Sequence, residues 1–440
     1  MKSTIKWIWF AERCGAGNPE MVTLLEKYGS VSDIYLADYD SYIENDASER
    51  LARRLADKSL EEAYRIINYC QTHRVGILTY SDDEYPQSLR SIKDPPAVLY
   101  YLGKLPNFNK HLCIAAVGTR KMSEYGMRAA YKIAYEVAAA GAIIVSGMAL
   151  GIDSVAASAA LRAKGKTVAV LGSGIDIVYP KEHVKLYRAI AENGVVLSEY
   201  PPSSDPRSFN FPKRNRIISG LSQGTVVIDA GEGSGALITS KTAILQGRDV
   251  YAVPSNIDSE NSSGTNSLIR DGAQAVLCGY DIIKNYAYLF RDTINVQNLR
   301  MAEERSQLDL SALIYYGVRA KGRIPAFEGI SARAEREQKK TENAPKVPAA
   351  RTVEEKKKSK PEPTGEQNAT NKTGDNSREI FESLGETEQK IFSEMPLDTA
   401  VSADYFTKTG YKFSDIMSAL TRLEIKGLVA SLPGGLYTRK

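Results

Sequence analysis

The feature that most constrains this chain lies between residues 110 and 290, where short apolar runs alternate with helical stretches. The runs read LCIAAV, AIIVSG, TVAVLG, GVVLSE, TVVIDA, DVYAVP and AQAVLCG, and segments such as SEYGMRAAYKIAYEVAAAG separate them. Strands apolar at every position need cover on both faces, and helices between successive strands supply the crossovers of a parallel sheet. The pattern predicts a doubly wound α/β domain.

The flanks differ in texture. Residues 1–75 carry helical apolar spacing, as in MVTLLEKYG and LEEAYRIINYC, and predict a helical domain; 76–290 hold a lead-in and the sheet. Residues 291–378 read as a poorly structured segment ending in a flexible linker from about 330, charged, Pro-containing and almost without aromatics. Ahead of that linker, LDLSALIYYGV takes no assignment. Beyond it, ETEQKIFSEM, SADYFTKTG and KFSDIMSALTRLEIKGLVA predict three short helices and SLPGGLYTRK a terminal β-ribbon, so 379–440 has the outline of a winged helix. Its last helix spaces Ile416, Leu420 and Leu423 for a core, and Arg422 and Lys426 are too few cations to read DNA.

Charge and cysteine usage exclude several classes. With 57 Lys and Arg against 53 Asp and Glu the net charge is +4, so any basic site must be local. Cys14, Cys70, Cys113 and Cys278 stand far apart with no C-x-x-C and no nearby histidine pair, which argues against zinc and against a disulfide framework. IKWIWFA is too short for a signal core and no other run approaches a membrane span; the expectation is a cytoplasmic protein.

Ligands of an open parallel sheet bind beyond the carboxyl ends of its strands, and the informative loops fall there. VGTRKMSEYG offers a Gly118-Thr119-Arg120 turn whose backbone N–H groups, Thr119 and Ser123 hydroxyls and Arg120 side chain suit an anionic oxygen. SGMALGID follows with Ser146, Gly147, Gly151 and Asp153. In LGSGIDIVYP, Gly172-x-Gly174 starts a dinucleotide fingerprint whose third glycine is replaced by Ile177. GEGSGALITSKTA opens another helix with Ser234, Gly235 and Thr239. Finally, FPKRNRIISGLS joins Phe211 to Lys213, Arg214, Asn215 and Arg216. Cations at a helix N-terminus oppose its dipole, a conflict that a polyphosphate ligand would remove, and Phe211 offers a stacking face to a base. His73, His111 and His183 form no catalytic or metal-like set, so binding without catalysis, metal or cofactor is expected.

These motifs, in this order, resemble the DNA processing protein A family (DprA, also called Smf), as do AVPSNID, GTNSLIRDGA and the lead-in ILTYSDDEYPQSLRSIKDPPAVLYYLGKL. The resemblance implies an extended Rossmann-like fold, a helical N-terminal domain of the SAM or helix-hairpin-helix kind, and a winged-helix-like C-terminal domain. It implies non-specific binding of single-stranded DNA, a homodimer formed through the Rossmann-like domain, and loading of the RecA recombinase during natural transformation and recombination. By motif, Gly118, Thr119 and Arg120 would grip a phosphate and Phe211 would meet a base. Lys213, Arg214, Asn215 and Arg216 would line the groove, with Ser123, Ser146, Gly147, Ser234 and Gly235 completing its wall. The chain departs from the family at Ala156-Ala157, where an Ala-His pair is usual, and at Ser255, where glycine is usual. The competing enzyme reading, a nucleoside monophosphate phosphoribohydrolase on a related fold, would need an acid beside an arginine, for which Glu199 and Arg214 are the nearest candidates.

Overall fold

The computed structural model describes residues 2–318 and, between 385 and 439, residues 385–396, 401–402, 405–406, 413–425, 428–432 and 436–439. They fall in two compact units, 2–318 in the first and 385–439 in the second.

In the first unit the apolar runs become strands of one sheet. They are β1 (Gly76–Thr79), β2 (Val98–Gly103), β3 (Cys113–Gly118), β4 (Ile143–Ser146), β5 (Thr167–Leu171), β6 (Val195–Ser198), β7 (Gly224–Ile228), β8 (Asp249–Ala252) and β9 (Gln274–Ala275). Their order is β1-β2-β6-β5-β4-β3-β7-β8-β9. From β6 to β9 every pairing is parallel, while β2 pairs antiparallel with β6 and with β1. Chain order therefore runs outward from β3 in one direction and from β7 in the other, which opens a crevice at their carboxyl ends.

Side-chain alternation divides the core between the two faces. Ile114 and Ala116 of β3 pack with Met127, Tyr131 and Ile133 of helix Glu124–Ala139 and with Val155 and Ala159 of helix Ile152–Arg162. Cys113, Ala115 and Val117 face the other way, toward Ile217, Ile218 and Leu221 of helix Asn210–Leu221 and Ala236 of helix Gly235–Leu245. The N-terminal helices, six across Lys2–Thr72, enclose Trp9, Phe10, Leu24, Ile34 and Leu51.

Residues 291–318 differ from the expectation of a poorly structured segment. Helices Val296–Arg305 and Leu310–Tyr315 form there, and Leu299, Ala302 and Leu313 are buried, Leu299 and Leu313 in the cluster around Met127 and Tyr131. The i, i+3 pairs Leu299/Ala302 and Leu310/Leu313, with Asp309 capping Ala312 N–H at 3.1 Å, explain why. The proposed linker from 330 to 378 lies outside the described residues.

In the second unit, helices Glu386–Glu394 and Phe413–Ile425 pack with an antiparallel sheet of β10 (Val401–Ser402), β11 (Val429–Leu432) and β12 (Leu436–Arg439), ordered β10-β12-β11. Ile416, Leu420 and Leu423 are fully buried in its core, as their spacing implies. Most of SADYFTKTG, the Gly434-Gly435 turn and Lys426 lie outside the described residues. Among the described residues no helix is long and apolar enough to cross a membrane.

Candidate nucleic-acid interface

A cleft of about 920 Å³ occupies the crevice between β3 and β7. One wall is the turn after β3, with Gly118, Thr119, Arg120 and Lys121; the opposite wall is the loop after β7, from Gly231 to Gly235; Phe211, Arg214 and Asn215 bound it from helix Asn210–Leu221. With Ala149 and Asp153 of the loop after β4, residues from four separate sequence motifs thus meet at the strand-order reversal, because each motif follows a strand whose carboxyl end points there.

The first wall is braced from β7. Thr119 N–H donates to Asp229 O at 2.8 Å, Ser123 N–H to Asp229 Oδ2 at 2.6 Å, and Lys121 N–H to Thr119 Oγ1 at 3.1 Å. Asp229 adopts φ of +57°, buried, and burial raises its pKa above the usual carboxylate value against the Ser123 hydrogen bond, which lowers it. The Arg120 side chain remains exposed. Its guanidinium carbon lies 5.5 Å from the centroid of the Phe211 ring, within cation–π range.

Arg214 approaches the same ring at 5.9 Å, yet it is only 3% exposed. Nη1 donates to Gly147 O at 2.8 Å and to Val170 O. Burial pushes its pKa down to about 10, with the Asp153 carboxylate opposing that shift, so the group stays charged at neutral pH. Asp153 in turn accepts from Gly147 N–H at 3.1 Å, and burial raises its own pKa. Gly147 is required here, since a Cβ would sit 2.6 Å from Arg214 Cζ; likewise a Cβ on Gly172 would meet Phe211 Cδ1 at 2.9 Å. The two glycines therefore act by yielding space to the cation and the ring.

The other expected residues separate by location. Ser234 and Gly235 line the cleft, Ser234 accepting from Ala236 N–H at 3.3 Å as the N-cap of helix Gly235–Leu245. Asn215 lines it as well. Ser123, Ser146 and Gly147 do not line it: Ser123 Oγ accepts from Gly126 N–H at 2.9 Å, capping helix Glu124–Ala139, and Ser146 Oγ, buried, donates to Ala116 O at 2.7 Å. Lys213 is exposed outside the cleft, its Nζ 3.3 Å from Ala16 O.

Arg216 departs most from expectation. It is 5% exposed and faces away from the cleft, bonded to Glu199 Oε1 at 2.6 Å and to Asp94 Oδ2 at 3.2 Å, while Gly17 N–H also reaches Glu199 Oε1 at 3.3 Å. Burial lowers its pKa, but the two carboxylates outweigh that and hold it above the ordinary value. On a helix, positions 214 and 216 lie nearly on opposite sides, so one cation reaches the cleft and the other the helical N-terminal region. This also removes the acid–arginine pair of the enzyme reading, because Glu199 is bonded to Arg216 and not to Arg214.

Sequence reasoning missed Tyr179, 45% exposed, whose ring centroid lies 5.5 Å from that of Phe211. It missed the bracing role of Asn261, whose Nδ2 donates to Lys121 O at 2.9 Å. The aromatic at the end of LGSGIDIVYP was the available signal for Tyr179; nothing local marks Asn261.

This arrangement has counterparts among known proteins. A family model described as DNA recombination-mediator protein A matches residues 76–287. The DNA processing protein DprA of Bacillus subtilis (strain 168) is 39% identical over 220 residues, 50% of this chain and 74% of its own length. That of Streptococcus pneumoniae (strain ATCC BAA-255 / R6) is 42% identical over 207 residues, 47% of this chain and 73% of its own. The X-ray structure of DNA processing protein A from Streptococcus pneumoniae aligns with a TM-score of 0.58 at 35% identity, covering 64% of this chain and 98% of that one. In sequence and in the arrangement of its sheet, the chain belongs to the DNA processing protein A (DprA/Smf) family of recombination mediators.

Proposed function

We propose that the cleft binds single-stranded DNA without regard to sequence, and that the protein helps load the RecA recombinase onto the bound strand in natural transformation and recombination. The observation that carries this reading is the exposed Arg120 guanidinium lying over the Phe211 ring at the crevice of the sheet, with the buried charge of Arg214 behind it. A phosphate oxygen meets Arg120 and the positive N-terminal end of helix Gly235–Leu245; a base meets the ring. Glu232 and Glu260 on the rim repel phosphate and so favour a backbone path along the Arg120 and Lys121 wall.

Phosphates and π-faces are common to every nucleotide, hence the lack of sequence preference. A duplex keeps its base faces within the stack, so Phe211 gains nothing from it. On this account the molecule works in the cytoplasm as a homodimer through the Rossmann-like unit. The two helices and three-stranded sheet of the second unit suit a winged helix. Two assays test the reading. Labelled single and double strands of one length should compete for the protein with the single strand preferred, and RecA filaments should form faster on a strand when the protein is added. Equal affinity for both strands, or filament formation unaffected by the protein, would count against it.

A further inference from the structure

We infer that Tyr179 is a second base-stacking subsite, placed beyond the cleft and taking the nucleobase next to the one at Phe211. The inference rests on strand binding at the cleft. It begins from an asymmetry between the two rings. Phe211 is half-buried, and the guanidinium groups of Arg120 and Arg214 both lie over it, at 5.5 and 5.9 Å. Tyr179 is 45% exposed, and among the described residues no cation covers it. The more open π-face at this edge of the sheet therefore belongs to the tyrosine.

The geometry also decides how bases could use the two rings. Their centroids are 5.5 Å apart and their planes are tilted by 40°. A base sandwiched between two rings needs about 7 Å, twice the stacking rise of about 3.4 Å. No base fits between them. Each ring can instead take a base of its own, and the tilt splays the two neighbouring bases apart. The strand then leaves the cleft past Phe211 and crosses from the end of β3 toward the end of β5.

The loop that leads into Tyr179 is tied down. Ser173 Oγ donates to Ile177 O at 2.9 Å, Gly174 N–H to Ser204 O at 2.8 Å, and Ser203 N–H to Asp176 Oδ1 at 2.7 Å. Little backbone ordering entropy is lost when a base arrives on a ring carried by a loop already tied down. Lys181, exposed two residues further on, supplies a cation for the phosphate that follows.

The test pairs the ring with the base in a double-mutant cycle. Oligothymidylates carrying one abasic position, walked along the strand, are titrated against the parent protein, Tyr179→Ala and Tyr179→Phe. At one position, loss of the base should weaken the parent and Tyr179→Phe by about tenfold and leave Tyr179→Ala unchanged. A purely structural tyrosine would lower affinity equally for intact and abasic strands, and that result overturns the subsite. So does equal binding by parent and Tyr179→Ala on every strand. If the parent binds no strand at all, the cleft reading fails and the subsite with it.

Discussion

FPKRNR places three cations within four residues, and the structure predicts that they fail in different ways. Consider Arg216→Ala. Arg216 is 5% exposed and holds Glu199, whose side chain is 9% exposed, at 2.6 Å. Removing one member of a buried pair typically costs about 3–5 kcal/mol, because the remaining charge is left without partner or water. Asp94, the second partner, keeps 30% of its side chain in solvent and can rehydrate, and Gly17 N–H still donates to Glu199. The lower end, about 3 kcal/mol, is therefore the expected loss, which corresponds to a melting temperature lower by roughly 5 °C in a unit of this size. Urea unfolding and thermal melts would read it. Single-strand affinity, measured where both proteins are folded, should stay within about twofold of the parent. Arg120→Ala should do the opposite, leaving the melt unchanged and weakening the strand, since its side chain is exposed and lies over Phe211. An Arg216→Ala protein that melts like the parent but releases single strands would refute the reasoning.

Gly147→Ala drives a Cβ into the Arg214 guanidinium and separates it from two buried carbonyls, so both stability, by about 2 kcal/mol, and strand affinity should fall; an unchanged urea midpoint would mean that the loop yields freely. His183 is fully buried with Nδ1 3.0 Å from Met148 O, and burial lowers its pKa. Its contribution to stability is present above pH 6.5 and is lost as pH falls through the lower folded value, so His183→Gln should flatten the acid limb of a stability profile below pH 6.5. Asp229 has the opposite sign: burial raises its pKa above 3.8, so its contribution is present below that value and is lost as pH rises through the folded one. Asp229→Asn should therefore lose less stability than the parent as pH rises above 3.8, measured by urea titration at each pH.

Much of this was legible because period and spacing are local properties. Uniformly apolar runs announced the parallel sheet, and the loops that follow them announced the edge where its crevice opens, so Gly118, Thr119, Arg120, Phe211, Arg214, Asn215, Ser234 and Gly235 meet in one cleft. What stayed hidden depends on long-range partners. Arg214 and Arg216 differ in fate only because Gly147 and Val170 lie beside one, and Glu199 and Asp94 beside the other. The macrodipole argument expected an external anion to satisfy both cations, whereas buried carbonyls and carboxylates of the protein itself do so. Ser123 and Ser146 read as ligand hydroxyls, yet one caps a helix and the other bonds a neighbouring strand. Helix Val296–Arg305 escaped notice because its apolar stripe is short and its charge resembles that of the segment that follows.

The most direct test of the central claim is the salt dependence of single-strand binding by the parent and by Arg120→Ala. If the guanidinium over Phe211 meets a phosphate, the variant should bind more weakly at low salt, with a log–log slope shallower by about 0.7 because one phosphate fewer is neutralised. Parallel slopes, with the variant as tight as the parent, would place the strand elsewhere and contradict the account.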